Sequence, residues 1–543
     1  MAARRRDCDV AIIGAGHNGL VCAAYLARAG LSVRVFERRP VVGGAAFTEE
    51  FHPGFRNSLA AYTVSLLNPK IISDLDLHRH GLRIVLRPIA NMFPAPDRPP
   101  LVFHRDRSAT AGAIGRLSAR DAAVLPDYLA ALESIADLLR DLVLETPPDP
   151  GGGWREVLKT ARLANRLRRL HSSEQRLLLD LFTRSASDFL AEWFEHDAVK
   201  AAFAFDGIVG TFASPATPGT AYVLLHHAFG EVNGERGAWG HAIGGMGAIS
   251  DALFREAERH GAVIETEAEV TAIAATESGI EAAVLADGRT VTARVIASNA
   301  TPDLLYRRLI DPALLSPDFR RAIASRRYES ASFRMNVALD ALPRFTALAG
   351  LTEEERRAHL ASGIVIAPSM AYLEDAYHHA LREGMSRAPV IEMLIPSLLD
   401  PTLAPEGRHV ASLFCQHFRY ALPDGRSWDD AREEAADLVL ATMEAHAPGF
   451  SASVLARRIL SPLDLERELS LTRGDIFHGA LSLDQMWSAR PLLGIGSYRG
   501  ALPGLYHCGA GAHPGGGVTG LAGHNAAREI LRDLGLLRRF PRS

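Results

Sequence analysis

The chain has 543 residues, 48% of them hydrophobic, so it is long enough to bury a large core in more than one domain. A formal net charge of -4 argues against nucleic acid as a partner, because such proteins carry a basic surface. The four cysteines, Cys8, Cys22, Cys415 and Cys508, form no C-x-x-C pair, which argues against a dithiol centre, a metal site or a disulfide framework and favours a reducing, cytoplasmic compartment.

The N-terminal residues show the pattern of a β-α-β unit. An apolar strand over 9–14 is followed by a helical pattern over 18–29 and by a second short strand over 31–37. The first turn carries the G-x-G-x-x-G spacing through Gly14, Gly16 and Gly19. These glycines permit a tight turn, close approach of a pyrophosphate and close packing of helix on strand. The segment therefore predicts a dinucleotide-binding Rossmann-type domain.

The residues after the second strand indicate which dinucleotide is bound. Glu37 closes that strand, where a carboxylate can accept the ribose hydroxyls of an adenosine. Gly43 and Gly44 follow, and a backbone without side chains can pass close to an extended cofactor. A plain turn is the alternative for this glycine pair. The combination favours FAD over NAD.

The middle of the chain alternates between helical and strand-like patterns. A helical pattern over 118–146, broken by Pro126, ends in a loop over 147–153, and further helical patterns reach residue 229. The later segments are a glycine-rich stretch over 234–247, a helix over 248–260, strands over 262–265, 282–285, 291–297, 333–339 and 390–395, a strand and loop over 505–511, and a helix over 520–534.

These segments predict an α/β fold with a discontinuous FAD-binding domain of the glutathione-reductase or amine-oxidase type. We assign residues 1–104, 235–310 and 490–543 to it, a helical substrate or cap region to 105–234, and an inserted α+β substrate domain to 311–489. The insertions are rich in leucine, alanine and phenylalanine and show no arginines placed to clamp a carboxylate. We therefore expect their shared cavity to be apolar.

A second glycine-rich loop, over 509–520, leads into the last helix. The amide groups and positive potential of that helix N-terminus suit the flavin edge on which negative charge grows during reduction. Glycine loops at opposite ends of one chain indicate that both ends meet around one cofactor, which is typical of a flavoprotein.

At these motifs the sequence resembles the carotenoid and retinoid oxidoreductase family, which includes phytoene desaturases, carotenoid isomerases and retinol saturases. The likeness covers nearly the whole chain and is greatest to the subgroup called pyridine nucleotide-disulfide oxidoreductase domain-containing protein 2. The matching segments are 11–20, 36–39, 42–46, 222–227, 237–240, 244–247, 481–485 and 511–517.

The resemblance implies FAD as cofactor and an apolar, polyene- or lipid-like substrate that exchanges a hydride with flavin N5, with an electron acceptor that the sequence does not identify. It implies a mitochondrial matrix location for eukaryotic relatives. The expected FAD-binding residues are Gly14, Ala15, Gly16, Asn18, Gly19, Glu37, Arg38, Gly43, Gly44, Ala45, Val270 at the adenine, and Gly509 and Val518 at the flavin. Ala510 and Ala45 depart from the wider flavoprotein pattern, in which aspartate and arginine are common at these places.

No catalytic base is evident, and histidines are the weak candidates. His513 and His478 lie in segments expected near the flavin, but neither has an evident partner acid. His227 lies with His226 on an apolar helical segment, where a hydrogen-bonded core histidine is the favoured interpretation. The glycines at 244–247 are interpreted as structural packing rather than as a second nucleotide site for NAD(P)H.

The segment 154–176 is basic, with Leu163, Leu167 and Leu170 at helical spacing. A solvated helix face is the favoured interpretation, and docking on an anionic membrane is the alternative. No apolar run reaches the roughly 18 residues needed to span a bilayer. Two other functions stay open: a flavin-bearing interaction protein with weak or lost catalysis, and an amine oxidase-like enzyme.

Overall fold

The computed structural model describes residues 6–96, 98–149 and 151–541, without the side chain of Arg155. The strands are β1 (Cys8–Ile13), β2 (Val33–Phe36), β3 (Thr48–His52), β4 (Phe55–Ser58), β5 (Ile84–Leu86), β6 (Ile89–Phe93), β7 (Leu101–His104), β8 (Glu231–Val232), β9 (Glu235–Arg236), β10 (Gly240–Ala242), β11 (Val263–Glu265), β12 (Val270–Thr276), β13 (Gly279–Leu285), β14 (Thr290–Ser298), β15 (Ser332–Leu339), β16 (Gly363–Ile366), β17 (Met385–Leu394), β18 (His409–Phe418), β19 (Val454–Leu460) and β20 (Leu505–His507).

The helices are α1 (His17–Arg28), α2 (Pro69–Asp74), α3 (Arg107–Gly115), α4 (Ala119–Leu142), α5 (Trp154–Arg168), α6 (Ser172–Thr183), α7 (Ala186–Trp193), α8 (Asp197–Ala204), α9 (Thr220–Ala228), α10 (Gly247–Arg259), α11 (Pro302–Leu304), α12 (Pro317–Ala324), α13 (Glu353–Leu360), α14 (Met370–Glu383), α15 (Trp428–His446), α16 (Phe450–Ser453), α17 (Pro462–Leu469) and α18 (Leu521–Asp533).

The N-terminal β-α-β unit forms the centre of the first sheet. Its strand order is β11-β2-β1-β14-β13-β12, with β20 beside β14. The strands β11, β2, β1, β14 and β20 run parallel, and the apolar residues of β1, β2, β14 and β20 are buried as expected for a sheet covered on both faces. Helices α1, α10 and α18 pack together against it. The predicted Rossmann-type α/β fold is confirmed, and β14 and β20 bring the distant chain segments together.

A second sheet has the order β19-β15-β18-β17-β16-β6-β7. Helix α15 covers one face, where Phe333, Met335 and Val337 of β15 are fully buried. The strands β6 and β7 belong to this sheet, because β6 pairs with β16 and β7 pairs with β6. Residues 89–104, which the prediction placed with 1–104 in the FAD-binding domain, thus form part of the second sheet. The domain boundaries stay predictions.

The helical region forms a separate core. Helices α4 and α7–α9 bury tyrosine, phenylalanine and leucine side chains around Tyr128. The predicted break at Pro126 is wrong: α4 continues through it from Ala119 to Leu142. Proline removes one intrahelical hydrogen bond, but an apolar face packed along the whole helix offsets that cost. Strands β12, β16, β18 and β19 were not predicted, because buried strands and short helices are hard to distinguish by periodicity.

Candidate functional site

A cavity of about 590 Å³ opens at the carboxyl ends of β1 and β14. Ligands of open parallel sheets bind at this edge. One wall comes from the glycine turn and β2, a second from β12 and the loop after β14, and a third from α17 and the loop after it. The predicted residues in its lining are Gly14, Gly16, Asn18, Glu37, Arg38, Gly44, Ala45 and Val270.

The glycine turn brings two stretches of backbone into close contact at the cavity wall. Gly16 and Gly44 face each other so closely that a Cβ on Gly44 would lie 3.2 Å from the Cα of Gly16. Helix α1 begins after Gly16 without a side-chain cap, so its first amide groups are available to an anion. Asn18 is buried in the same wall, and its side-chain NH2 group is a donor suited to phosphate oxygens. These features fit the pyrophosphate of a dinucleotide.

Glu37 is fixed by the backbone around it. Its Oε2 atom accepts a hydrogen bond from the Ala15 amide at 2.8 Å, and its Oε1 atom accepts one from the Arg39 amide at 3.0 Å. The side chain is 7% exposed and lines the cavity. A carboxylate held in this way presents its remaining lone pairs to ribose hydroxyls. The residues present therefore fit the adenosine half of FAD.

The third wall was not anticipated from the sequence. It consists of residues 463 and 466–472, inside the segment 311–489 that was assigned to the substrate domain. The Arg38 guanidinium donates to the Arg467 and Glu468 carbonyl oxygens at 2.8 and 2.6 Å, so Arg38 ties β2 to this wall. The hydroxyls of Thr301 and Thr472 lie 2.6 Å apart and join it to the loop after β14.

Four predicted cofactor residues support the cavity from behind and are absent from its lining. Ala15 donates its amide to Glu37, and a Cβ on Gly19 would lie 2.2 Å from the Gly14 carbonyl oxygen. The Gly43 amide donates to the Ala15 carbonyl at 2.8 Å. Gly509 packs against the backbone of Asn299. They contribute close packing and turn geometry here, and their contact with FAD stays a prediction.

Asn299 is a lining residue that sequence reasoning missed. It follows β14 directly, and its amide donates to the Ile13 carbonyl at 2.9 Å, beside the glycine turn. The strand over 291–297 was predicted, so the polar residue after it was a usable signal.

A second cavity adjoins the first. Its volume is about 140 Å³, and both cavities share His17, Ala45, Leu471, His478 and Ala510 in their linings. Burial lowers the pKa of His17 to about 4 and that of His478 to about 3, so both are neutral at physiological pH. Of the predicted residues, His478, His227 and Val518 line this cavity, Val518 with a left-handed φ of 56°. His17 was not predicted as a candidate.

His513 lines neither cavity. Its ring packs edge-on against Trp487 with centroids 4.7 Å apart, and burial lowers its pKa to about 3. On α9 the His227 Nδ1 atom lies 2.9 Å from the Val223 carbonyl oxygen, as expected of a hydrogen-bonded core histidine. Neither ring nitrogen of its neighbour His226 has a hydrogen-bond partner within the described ranges.

The expectation of an apolar cavity without arginine is wrong at one end of this second cavity. Phe205, Val209 and Phe477 form apolar lining, but Arg334 and Glu392 also belong to it. Arg334 is 2% exposed and Glu392 is 4% exposed. Both residues lie on the face of the second sheet that is opposite α15. Other elements cover this face, so the polar positions of these strands are also buried.

The four cysteines are free and buried. Cys22 of α1 contacts Cys508 after β20, a proximity that spacing in the sequence did not reveal. The hydrogen bond with the Cys508 thiol, together with burial, raises the pKa of Cys22 well above its usual range. A thiol in this state is a poor nucleophile, because the thiolate is the reactive form.

The glycines at 244–247 contact protein rather than open space. The Gly244 amide donates to Asp400, the Met246 amide to Ser58 and the Gly247 amide to Thr48, at 2.6, 3.0 and 3.0 Å. The N-terminus of α10 thus has its donors satisfied within the chain. This supports the interpretation as structural packing.

The basic segment forms α5 and the start of α6. Leu163, Leu167 and Leu170 pack inward against the helical core, so this leucine stripe does not form an outer face. The exposed apolar side chains are instead Trp154, Val157 and Leu158. Across the described residues, helices long and apolar enough to cross a membrane are absent. Groups of three or more potential metal ligands are likewise absent from the described part of the chain.

Comparisons with known proteins agree with this geometry. Residues 19–333 match the family described as flavin containing amine oxidoreductase. Pyridine nucleotide-disulfide oxidoreductase domain-containing protein 2 of Rattus norvegicus is 41% identical, covering 97% of this chain and 94% of its own. The lycopene-forming phytoene desaturase of Pantoea ananas is 25% identical, covering 96% and 99%. An oxidoreductase from Methanosarcina mazei shares the fold, with a TM-score of 0.62 at 17% identity over 96% of this chain and 100% of that one.

Proposed function

Because this chain belongs to the flavin-containing amine oxidoreductase family and is an oxidoreductase with FAD as its cofactor, we propose that it exchanges a hydride with an apolar, lipid-like substrate. The resemblance to the carotenoid-type enzymes supports this substrate class. FAD supplies the hydride acceptor or donor. The chain's own residues bind the cofactor, orient the substrate and exclude water.

We place the adenosine of FAD at Glu37 and Val270 and its pyrophosphate at the N-terminus of α1, against the backbone of Gly16 and Gly44. The flavin then reaches the junction of the two cavities. The observation that carries the proposal is this junction, where Ala45, Leu471 and Ala510 offer apolar contacts and both histidines are neutral. Such a site would keep water away from the reacting atoms, to which bound FAD would supply, or from which it would accept, the hydride.

The size of the second cavity restricts the substrate. About 140 Å³ is less than the roughly 300 Å³ at which whole-ligand pockets begin. It holds the reacting portion of an apolar molecule rather than a whole carotenoid.

The experiment is reconstitution with FAD followed by anaerobic stopped-flow mixing. We expect lipophilic alkenes or acyl chains to perturb or reduce the flavin spectrum, and small diamines to leave it unchanged. Saturable reduction by a small charged amine, with no response to any lipophilic compound, would contradict the proposal. Photoreduction followed by mixing with oxygen, quinones or NAD(P)+ identifies the electron acceptor.

Amine oxidation is the second candidate, supported by the family description and by the Glu392 carboxyl group in the second cavity. The face of the Tyr62 ring, a usual site for a substrate ammonium, is already occupied by the Arg334 guanidinium at 4.4 Å from the ring centroid. This favours the apolar substrate. A protein that retains photoreducible FAD but reacts with no donor or acceptor would instead support the role of an interaction protein.

For the basic segment we propose contact with an anionic membrane surface through α5. Its exposed Trp154, Val157 and Leu158 lie beside basic residues, a combination suited to a negatively charged interface. Sedimentation with vesicles containing phosphatidylserine tests this, and Leu158→Asp should reduce binding whereas Leu493→Asp, at another exposed leucine, should not. Equal sedimentation with neutral vesicles and with both variants would support a solvated face.

A further inference from the structure

A row of side chains crosses the second sheet at the far end of the second cavity. Arg334 of β15 pairs with Phe414 of β18, and Phe414 pairs with Glu392 of β17. Directly paired residues share one face of a sheet. All three line the second cavity, together with Tyr62 and Asp206.

Arg334 is not satisfied by the protein. Its Nη2 atom donates to the Ser412 hydroxyl at 2.6 Å, but its Nε and Nη1 atoms are buried without a hydrogen-bond partner among the described residues. A carboxylate matches the terminal fork of Nη1 and Nη2, where Nη2 has a second hydrogen beyond the one given to Ser412; Nε, on the side opposite Nη1, is a separate donor. Leaving the Nε and Nη1 donors unpaired in the interior costs free energy, which a bound anion would recover.

Glu392 does not fill this fork. Its Oε2 atom accepts from the Tyr62 hydroxyl at 2.6 Å, and its Oε1 atom lies 3.8 Å from the Nη1 atom of Arg87. Arg87 is as buried as Arg334, at 2% exposure. The carboxyl group of Glu392 thus lies beside Arg87, a second buried arginine, and not beside the unpaired donors of Arg334.

The charges around the cavity sum to an excess of positive charge. Burial, together with the charge of Glu392, raises the pKa of Asp206 to about 8, so Asp206 is protonated at neutral pH. Burial lowers the pKa of His227 and raises that of Tyr62, so both are neutral. Arg334 and Arg87 then face one remaining acidic side chain, that of Glu392, in the interior.

We propose that Arg334 binds the carboxylate of an amphipathic substrate, whose apolar body extends along Phe205, Val209 and Phe477 toward the junction. This inference rests on the proposed function and narrows its substrate class to apolar monocarboxylic acids. Arg334 acts there as a specificity-determining residue, since it binds the carboxylate end of the substrate, which is distant from the reacting carbon.

Decanoate, decanol and decylamine are matched probes of this site, because they share one chain and differ in the charge of the end group. Isothermal titration calorimetry on the FAD-loaded protein should show decanoate binding about 10-fold or more tightly than decanol, and decylamine more weakly than either. Arg334→Met should weaken decanoate about 10- to 100-fold and leave decanol unchanged. Arg334→Lys should recover part of the loss, since it keeps the charge without the fork.

Arg457→Met, on the outer strand β19 of the same sheet, is the control and should match the wild type. A purely structural Arg334 would lower the thermal midpoint in Arg334→Met without changing the ratio of decanoate to decanol affinity. That result, or a wild-type preference for decanol or decylamine, would overturn the inference; the wild-type comparison decides even if the variant fails to fold. Calorimetry needs no turnover, so carboxylate binding without any flavin chemistry would refute the proposed function alone.

Discussion

Replacing Glu37 by alanine removes the acceptor that two backbone amides share. The carboxylate receives the Ala15 and Arg39 N–H groups at 2.8 and 3.0 Å and is positioned for the ribose of FAD. Hydrogen bonds to a charged group contribute about 1.5–3 kcal/mol each, but water replaces part of this in the variant. We expect FAD affinity to fall by about 1–3 kcal/mol, which corresponds to about 5- to 150-fold in Kd.

The assay is quenching of FAD fluorescence during titration of deflavinated protein. Glu37→Gln retains one carbonyl acceptor and should lose less affinity than Glu37→Ala. Glu281→Ala, at an exposed position on β13, is the control and should bind FAD as the wild type does. An unchanged Kd in Glu37→Ala, with the fold intact by circular dichroism, would refute the assignment of Glu37 to the adenosine.

Three further outcomes are expected. Arg490→Met should lower the thermal midpoint and release FAD, because this buried guanidinium donates to carbonyl oxygens including Ala510 at 2.8 Å and Gly479 at 3.2 Å. Calorimetric unfolding with and without FAD measures the midpoint, and an unchanged midpoint in the variant would contradict the prediction. Replacing all four cysteines by serine or alanine should leave flavin reduction intact wherever the variant folds, and a thiolate-to-flavin charge-transfer band in the wild type would oppose this. The unfolding free energy should fall as pH drops from about 6.5 toward 3, because buried His417 has a pKa of about 3 in the folded chain and about 6.5 when unfolded. Denaturant titration should show that the unfolding free energy of His417→Asn falls less over the same pH range.

The cofactor half of the protein was readable because its chemistry is local in sequence. A tight turn, a close approach to phosphate and a carboxylate at the end of the next strand each require particular residues at fixed spacing, as at Gly14, Gly16 and Glu37. The third wall of the cavity carries no such pattern. Residues 466–472 reach the cofactor only because the second sheet places α17 there.

The substrate half was harder to infer, and Arg334 shows why. Along β15, apolar Phe333, Met335 and Val337 alternate with polar residues, a pattern that predicts one buried and one solvated face. In the fold both faces are covered, so Arg334 is buried. Periodicity reports which residues avoid water and carries no information about what the opposite face meets. The same limit applies to His17 and His513, whose positions depend on contacts between distant segments.

The central position of β1 has a consequence for synthesis on the ribosome. This strand needs β2 on one side and β14, which ends at Ser298, on the other. A nascent chain therefore emerges with one edge of this largely apolar strand unpaired for more than half of translation, the state in which sheet edges recruit other chains. Ala510, which borders both cavities, is made later still. The site that would hold FAD is thus complete only after the last of its lining segments has been made.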